Sequence, residues 1–159
     1  MKKLITFFAI IVICIPAALL TRHGMLLLLL EKDVQLIKNV LELTLVKNTG
    51  AAFGIFAGNT GLLSIVTGII IFAIIAYMIF FRNKISMAET VSIALIAGGG
   101  ISNLYERLVY GYVIDYINIQ ILPVFNVADM CVTVGCVLFV LVVFFVKDAA
   151  EPKESAENE

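Results

Sequence analysis

Gly61-Leu62-Leu63-Ser64-Ile65-Val66-Thr67-Gly68-Ile69-Ile70-Ile71-Phe72-Ala73-Ile74-Ile75-Ala76-Tyr77-Met78-Ile79-Phe80-Phe81 runs 21 residues without a charge before Arg82. A helix rising about 1.5 Å per residue crosses the roughly 30 Å of bilayer hydrocarbon in such a length. Three more stretches have the same character on either side of it: residues 4–20, 86–105 and 128–146. Pro16 is expected to kink the first, because a proline inside a helix removes a backbone donor and crowds the preceding turn. The sequence therefore reads as an all-α integral membrane protein of four spans.

Composition agrees. Of 159 residues, 62% are hydrophobic and 14% charged, against about 45–50% and about 25% in soluble domains. Four spans consume about half the chain, which leaves no room for a second catalytic domain. With 11 Lys+Arg against 12 Asp+Glu, no basic face is available to neutralise a nucleic-acid backbone, and nucleic acid is excluded as a partner. Cys14, Cys131 and Cys136 lie in apolar runs without metal-ligand spacing and read as small core residues.

Lys2-Lys3 before an apolar run could open a secretory signal. However, Leu4 to Leu20 is longer than the usual signal core, no small-x-small cleavage site follows, and Ile11-Val12-Ile13 before Cys14 lacks the small residues expected ahead of a lipidated cysteine. A retained first span is expected. Between spans one and two, the Met25–Leu30 run is too short to cross and is expected to lie beside the membrane. Leu41-Glu42-Leu43-Thr44-Leu45 alternates with period two, the mark of a half-buried strand, and Asn48-Thr49-Gly50 reads as a turn. A small extracytoplasmic β element with a short amphipathic piece is expected there.

Lys2, Lys3, Arg82, Lys84, Lys147 and Lys153 fall on one side of this topology, and Arg22, Lys32, Lys38, Lys47 and Arg107 on the other. The first group is the denser near the span ends, so the positive-inside rule places both termini in the cytoplasm. Residues 1–148 form the membrane domain, and residues 149–159, rich in glutamate, read as a disordered cytoplasmic tail.

Charges near hydrocarbon carry the chemistry, since an Asp or Arg at a helix centre costs roughly 2.5–3.5 kcal/mol even on the lenient insertion scale. Asp115 follows span three in Gly111-Tyr112-Val113-Ile114-Asp115-Tyr116. Asp129 opens span four in Phe125-Asn126-Val127-Ala128-Asp129. Both ends of the intervening loop lie on one membrane face, so the two aspartates can meet. A close carboxylate pair shares a proton and titrates as a unit, and one member can activate water while the other protonates a carbonyl. On the residues alone a second reading stands beside this one, in which Asp129 caps the fourth helix and Asp115 is a solvated loop charge. Arg107 can pair with an aspartate or a lipid phosphate, or snorkel to the interface. Asn48 and Asn126 can orient a carboxylate, or act as turn former and cap.

Four blocks resemble the lipoprotein signal peptidase family, signal peptidase II of bacteria. They are Asn48-Thr49-Gly50-Ala51-Ala52-Phe53-Gly54; Gly98-Gly99 with Asn103 and Arg107; Gly111-x-Val113-x-Asp115-Tyr116; and Phe125-Asn126-x-Ala128-Asp129. The resemblance covers Val40 to Val146. It implies a catalytic aspartyl pair, Asp115 and Asp129, with Asn48, Gly50, Asn103, Arg107 and Asn126 binding substrate or supporting the site. The implied reaction removes the signal peptide from a diacylglyceryl-modified prolipoprotein, cutting before the lipid-bearing cysteine, in the bacterial cytoplasmic membrane. Lipidated precursors and membrane lipids are the expected partners, no metal or organic cofactor is implied, and a monomer is expected. Gly98, Gly99 and Gly100 are assigned to helix packing.

Four departures accompany the resemblance. The family's Asp-Gln-x-x-Lys near the outer end of span one is missing from Cys14–Arg22, and Asp33-Val34-Gln35-Leu36-Ile37-Lys38 falls in the loop before the strand. Ser102 and Glu106 stand where the family usually has Gly and Asp, and Tyr116 where it has Phe. These changes raise the alternative of a weak or inactive relative that binds lipoprotein precursors or lipid. A small transporter using buried carboxylates is a further rival, disfavoured by the lack of charges in the middle of spans two and three.

Overall fold

A computed structural model describes residues 1–50 and 58–146. The Ala51-Ala52-Phe53-Gly54 part of the first block, Lys147, and the acidic tail lie outside the described residues.

Four helices carry the chain across: α1 (Lys2–Leu28), α2 (Thr60–Phe81), α3 (Met87–Tyr110) and α4 (Val127–Leu141), the last continuing as a π-helical turn over Val142–Val146. Each is long and apolar enough to span a bilayer. Three strands, β1 (Val34–Ile37), β2 (Leu41–Asn48) and β3 (Val113–Asn118), form an antiparallel sheet in the order β1-β2-β3. The mostly helical membrane architecture and the β element thus match the sequence reading, and the helix ends refine it.

The helices start where their caps dictate. Ser86 and Glu89 form a reciprocal capping box at α3, and Asn126 and Asp129 form another at α4, each satisfying amide donors that a helix start leaves unpaired. Gly111 ends α3 in the left-handed conformation, with φ +79°. Glu89, whose position suggests an interfacial charge, is instead buried at 1% exposure in that capping role.

α3 is the least apolar helix and the most buried, and it packs against all three others. Its glycines make this possible. A Cβ on Gly98 would lie 2.7 Å from Cys14 Cβ of α1, and one on Gly99 would lie 2.3 Å from the Ala128 carbonyl of α4. Gly135 gives the same close approach from the α4 side, where a Cβ would be 2.7 Å from the Ser92 carbonyl. Without a hydrophobic force between helices inside lipid, such backbone proximity supplies the packing. Outer faces remain apolar and exposed, with Phe72 and Phe80 the most open of α2.

Three expectations change. The Met25–Leu30 run is not a separate membrane-surface segment. Met25 to Leu28 are the last turn of α1, and Leu29 is buried with Ile114 and Tyr116 in a cluster that Met25 and Leu26 pack against. Met25, Leu26 and Leu29 have a protein core to fill, so α1 extends to reach the sheet, while Leu27, Leu28 and Leu30 stay exposed. Val34–Ile37 is not loop either; it pairs with β2 through a turn in which Asn39 takes φ +59°, a conformation asparagine tolerates better than most residues. Among the cysteines only Cys14 is buried, while Cys136 is exposed on the outer face of α4.

Lys3 Nζ donates to the Ile85 carbonyl, which puts the start of α1 and the α2–α3 turn at one end of the bundle. The sheet caps the other.

Candidate active site

At the sheet end, β3 leaves α3 after Gly111 and pairs with β2, with Asn48 opposite Val113 and Val46 opposite Asp115. Residues two apart on a strand share a face, so Asn48 and Asp115 are diagonal neighbours. The chain then returns on itself. Tyr116 and Ile117 amides donate to the Phe125 carbonyl at 3.1 and 2.8 Å, and the Phe125 amide donates back to Ile117 at 3.1 Å. This return sets Asn126 and the start of α4 beside Asp115, which is how 14 residues of sequence separation collapse.

Three asparagines hold the two carboxylates. Asn48 Nδ2 donates to Asp115 Oδ2 at 2.7 Å, and Asn126 Nδ2 donates to Asp115 Oδ1 at 2.7 Å. Asn103 Nδ2 donates to Asp129 Oδ1 at 2.7 Å, while the Asn126 amide donates to Asp129 Oδ2 at 3.1 Å. Asn126 also donates to Asn103 Oδ1 at 3.2 Å, and its Oδ1 receives the Asp129 amide at 3.0 Å. Every carboxylate oxygen of the pair therefore has a donor, and Asn126 touches both aspartates. Asp129 is the N3 member of the capping box that opens α4, behind the cap Asn126, and its carboxylate is at the same time held by Asn103 beside Asp115. Asp115 is no solvated loop charge: it is 1% exposed.

Burial, and then the negative charge of Asp129, push the Asp115 carboxyl up to about 6, against the opposing pull of the Asn48 and Asn126 hydrogen bonds. Desolvation and a like charge both disfavour the ionised form. Asp115 is thereby poised to gain or lose a proton near neutrality, as a general acid or base requires.

Gly50 and Arg107 close the surroundings. The Gly50 amide donates to Asn48 Oδ1 at 2.8 Å, which fixes which end of the Asn48 amide faces Asp115, and its carbonyl accepts from Arg107 Nη2 at 2.8 Å. Arg107 makes no ion pair with either aspartate among the described residues, contrary to one of its sequence readings. Its Nε is buried with no hydrogen-bond partner among them. A groove of about 590 Å³ runs past it, lined by Thr60, Gly61, Ser64, Ile65, Leu104 and Leu108. Arg107 itself lines this groove, so its guanidinium is placed to meet an acceptor on a bound molecule.

All seven residues picked from the sequence thus lie together. The sequence reading gave no role to Thr21, Arg22, Glu106 and Tyr116, which the structure ties to the backbone around Asp115. Their signal was available only as departures from the family pattern.

The model of the family described as signal peptidase (SPase) II matches residues 8–145. Lipoprotein signal peptidase from Clostridium acetobutylicum is 43% identical over 127 residues, covering 77% of this chain and 82% of the relative. That from Halothermothrix orenii is 40% identical over 120 residues, covering 72% and 81%, and that from a Sulfurihydrogenibium species is 38% identical over 148, covering 87% and 91%. Among solved structures, a bacterial membrane enzyme determined in meso at 2.3 Å superposes with a TM-score of 0.78 and 27% identity, covering 96% of this chain and 94% of the other. A second, at 1.9 Å, gives 0.72 and 26%, covering 88% and 93%. With four spans, the β cap and a match over nearly its whole length, the chain belongs to the signal peptidase II family of bacterial membrane proteins.

Proposed function

We propose that the chain is an intramembrane aspartyl endopeptidase that removes the signal peptide from diacylglyceryl-modified prolipoproteins, cutting before the lipidated cysteine. Family membership supports prolipoprotein signal-peptide cleavage. The observation that carries the aspartyl mechanism is that one residue, Asn126, joins the two carboxylates, its side chain donating to Asp115 and its backbone N–H to Asp129.

In this mechanism one carboxyl of the pair is ionised and the other holds a proton. The ionised member takes a proton from water as the water oxygen bonds to the scissile carbonyl carbon, and the protonated member gives its proton to the carbonyl oxygen. The resulting gem-diol collapses as its C–N bond breaks; one hydroxyl proton returns to the pair and the leaving nitrogen takes a proton from it. Asn48, Asn103 and Asn126 keep the carboxylates in register, Gly50 orients Asn48, and the Arg107 guanidinium offers a donor to the substrate. Both termini lie in the cytoplasm, and the pair sits near the outer boundary of the hydrocarbon, where a lipid-anchored substrate presents its cut site.

Purified enzyme is expected to cleave a diacylglyceryl-cysteine peptide and to leave its unlipidated twin intact. Asp115→Asn and Asp129→Asn are each expected to cut the rate by at least about a hundredfold with helix content unchanged. Full activity in either variant would sink the aspartyl mechanism; equal cleavage of both peptides would sink the lipid requirement.

A further inference from the structure

Asp115 is flanked in β3 by Ile114 and Tyr116, and each of these is tied to the end of α1. On one side, Glu106 Oε2 accepts from the Ile114 amide at 3.0 Å and from Arg22 Nε at 2.9 Å. Both side chains of this ion pair are shielded, at 13% and 5% exposure, and the Arg22 guanidinium lies over the Tyr110 ring, 4.5 Å from its centroid. On the other side, the Tyr116 hydroxyl donates to Thr21 Oγ1 at 2.9 Å and accepts from the Val127 amide at 3.3 Å. Thr21 is itself fixed to its helix by hydrogen bonds to the Ala17 and Ala18 carbonyls at 2.8 and 2.9 Å.

Two consecutive residues of α1 therefore reach the two neighbours of Asp115, one through Glu106 and one directly. Neither connection includes an oxygen of the aspartate pair. A shielded ion pair seldom adds net stability, because desolvating both charges offsets their attraction, so the gain from keeping one lies in position. The chemistry is specific to the side chains present. A one-methylene-shorter aspartate at 106 cannot span Arg22 and the Ile114 amide in this geometry, and a phenylalanine at 116 has no hydroxyl to bridge Thr21 and Val127.

We propose that Thr21, Arg22, Glu106 and Tyr116 form a clamp of positioning residues that holds Asp115 in catalytic register by fixing the residues on either side of it. The clamp rests on the reading of Asp115 as a member of the catalytic pair.

The test uses the full-length enzyme in detergent, a synthetic diacylglyceryl-cysteine peptide, and kcat expressed per folded molecule. Arg22→Met and Glu106→Gln are each expected to lower kcat by about ten- to hundredfold with KM within about twofold, since small displacements of a reacting group cost rates of that order. The double variant should be no slower than the slower single, as expected of residues acting as one unit. Arg22→Lys, which keeps the charge, should recover most of the rate lost in Arg22→Met. Tyr116→Phe preserves the buried ring and so serves where the charge variants fold poorly; it too should lose kcat and not KM. Wild-type kcat per folded molecule in Tyr116→Phe and Arg22→Met overturns the clamp, as does a loss seen only as less folded protein. Asp115→Asn run in parallel separates the two readings. If it is inactive while the clamp variants turn over normally, the clamp alone fails; if it is active, both fail.

Discussion

Asp115 shows how one residue can be stabilised by its partners and still be held off its ordinary ionisation. Two amide donors favour its charged form, yet burial and the Asp129 carboxylate outweigh them and place it at about 6. An unfolded aspartate titrates near about 3.9, so the folded state binds this proton more tightly. The associated stability is present in full below about pH 4 and is lost as pH rises through about 6. Melting temperature is therefore expected to fall more steeply across that window in the native enzyme than in Asp115→Asn, which has no proton to lose there. Equal slopes in calorimetry or circular dichroism would show that the site does not raise this group. At the same scale, Asn48, Asn103 and Asn126 explain why short amides serve here: each donates to a carboxylate without adding charge, in a place where a further ion would be costly to desolvate.

The elements that bring these residues together differ in how openly the sequence announces them. β2 is visible in the alternation of Leu41 to Leu45, because one face meets the core. β3 is hidden, since Val113 to Tyr116 are all buried. Ile114 and Tyr116 face the cluster with Leu29, while Asp115 looks into the asparagines. With both faces covered, no period of two remains to be read. The glycines of α3 were legible as packing residues, and the structure assigns each a neighbour. Gly99 is the critical one, because it lets α4 approach where Asp129 begins its helix. Gly99→Ala would force a Cβ to within 2.3 Å of the Ala128 carbonyl; the helices must part, at a cost of about 1–3 kcal/mol or more. The variant is expected to melt lower and to lose activity as Asp129 leaves Asn103. Gly24→Ala, with nothing within 4 Å of its added carbon, should leave both unchanged or slightly raise stability.

At the scale of the whole molecule, the bundle has a sheet-bearing end with the candidate site and an opposite end carrying Lys3 and the α2–α3 turn. Basic residues close to the span ends favour the second end as cytoplasmic. Single cysteines at Lys47 and Asn83, placed in a chain whose native cysteines are replaced by alanine, test this in intact cells. A membrane-impermeant maleimide should label position 47 directly and position 83 only after permeabilisation. The reverse pattern would invert the topology and separate the candidate site from a substrate displayed at the outer leaflet.

The sequence by itself determined the membrane architecture and nominated the aspartates. A bilayer admits only backbone that satisfies its own hydrogen bonds, so long uncharged runs read as spans, and few charges then remain as candidates for chemistry. The ends of elements escaped it. The last turn of α1 extends because Met25 and Leu26 find a core under the sheet, which hydropathy cannot distinguish from lipid. Nor could it show that Asn126 joins both aspartates, that Arg107 turns to the Gly50 carbonyl, or that Arg22 meets Glu106 across 84 residues. Those choices depend on directions fixed by the β3 return and the α3 glycines. Hydrogen bonds act over a few ångströms and within narrow angles, so only the tertiary structure decided which of the polar residues meet.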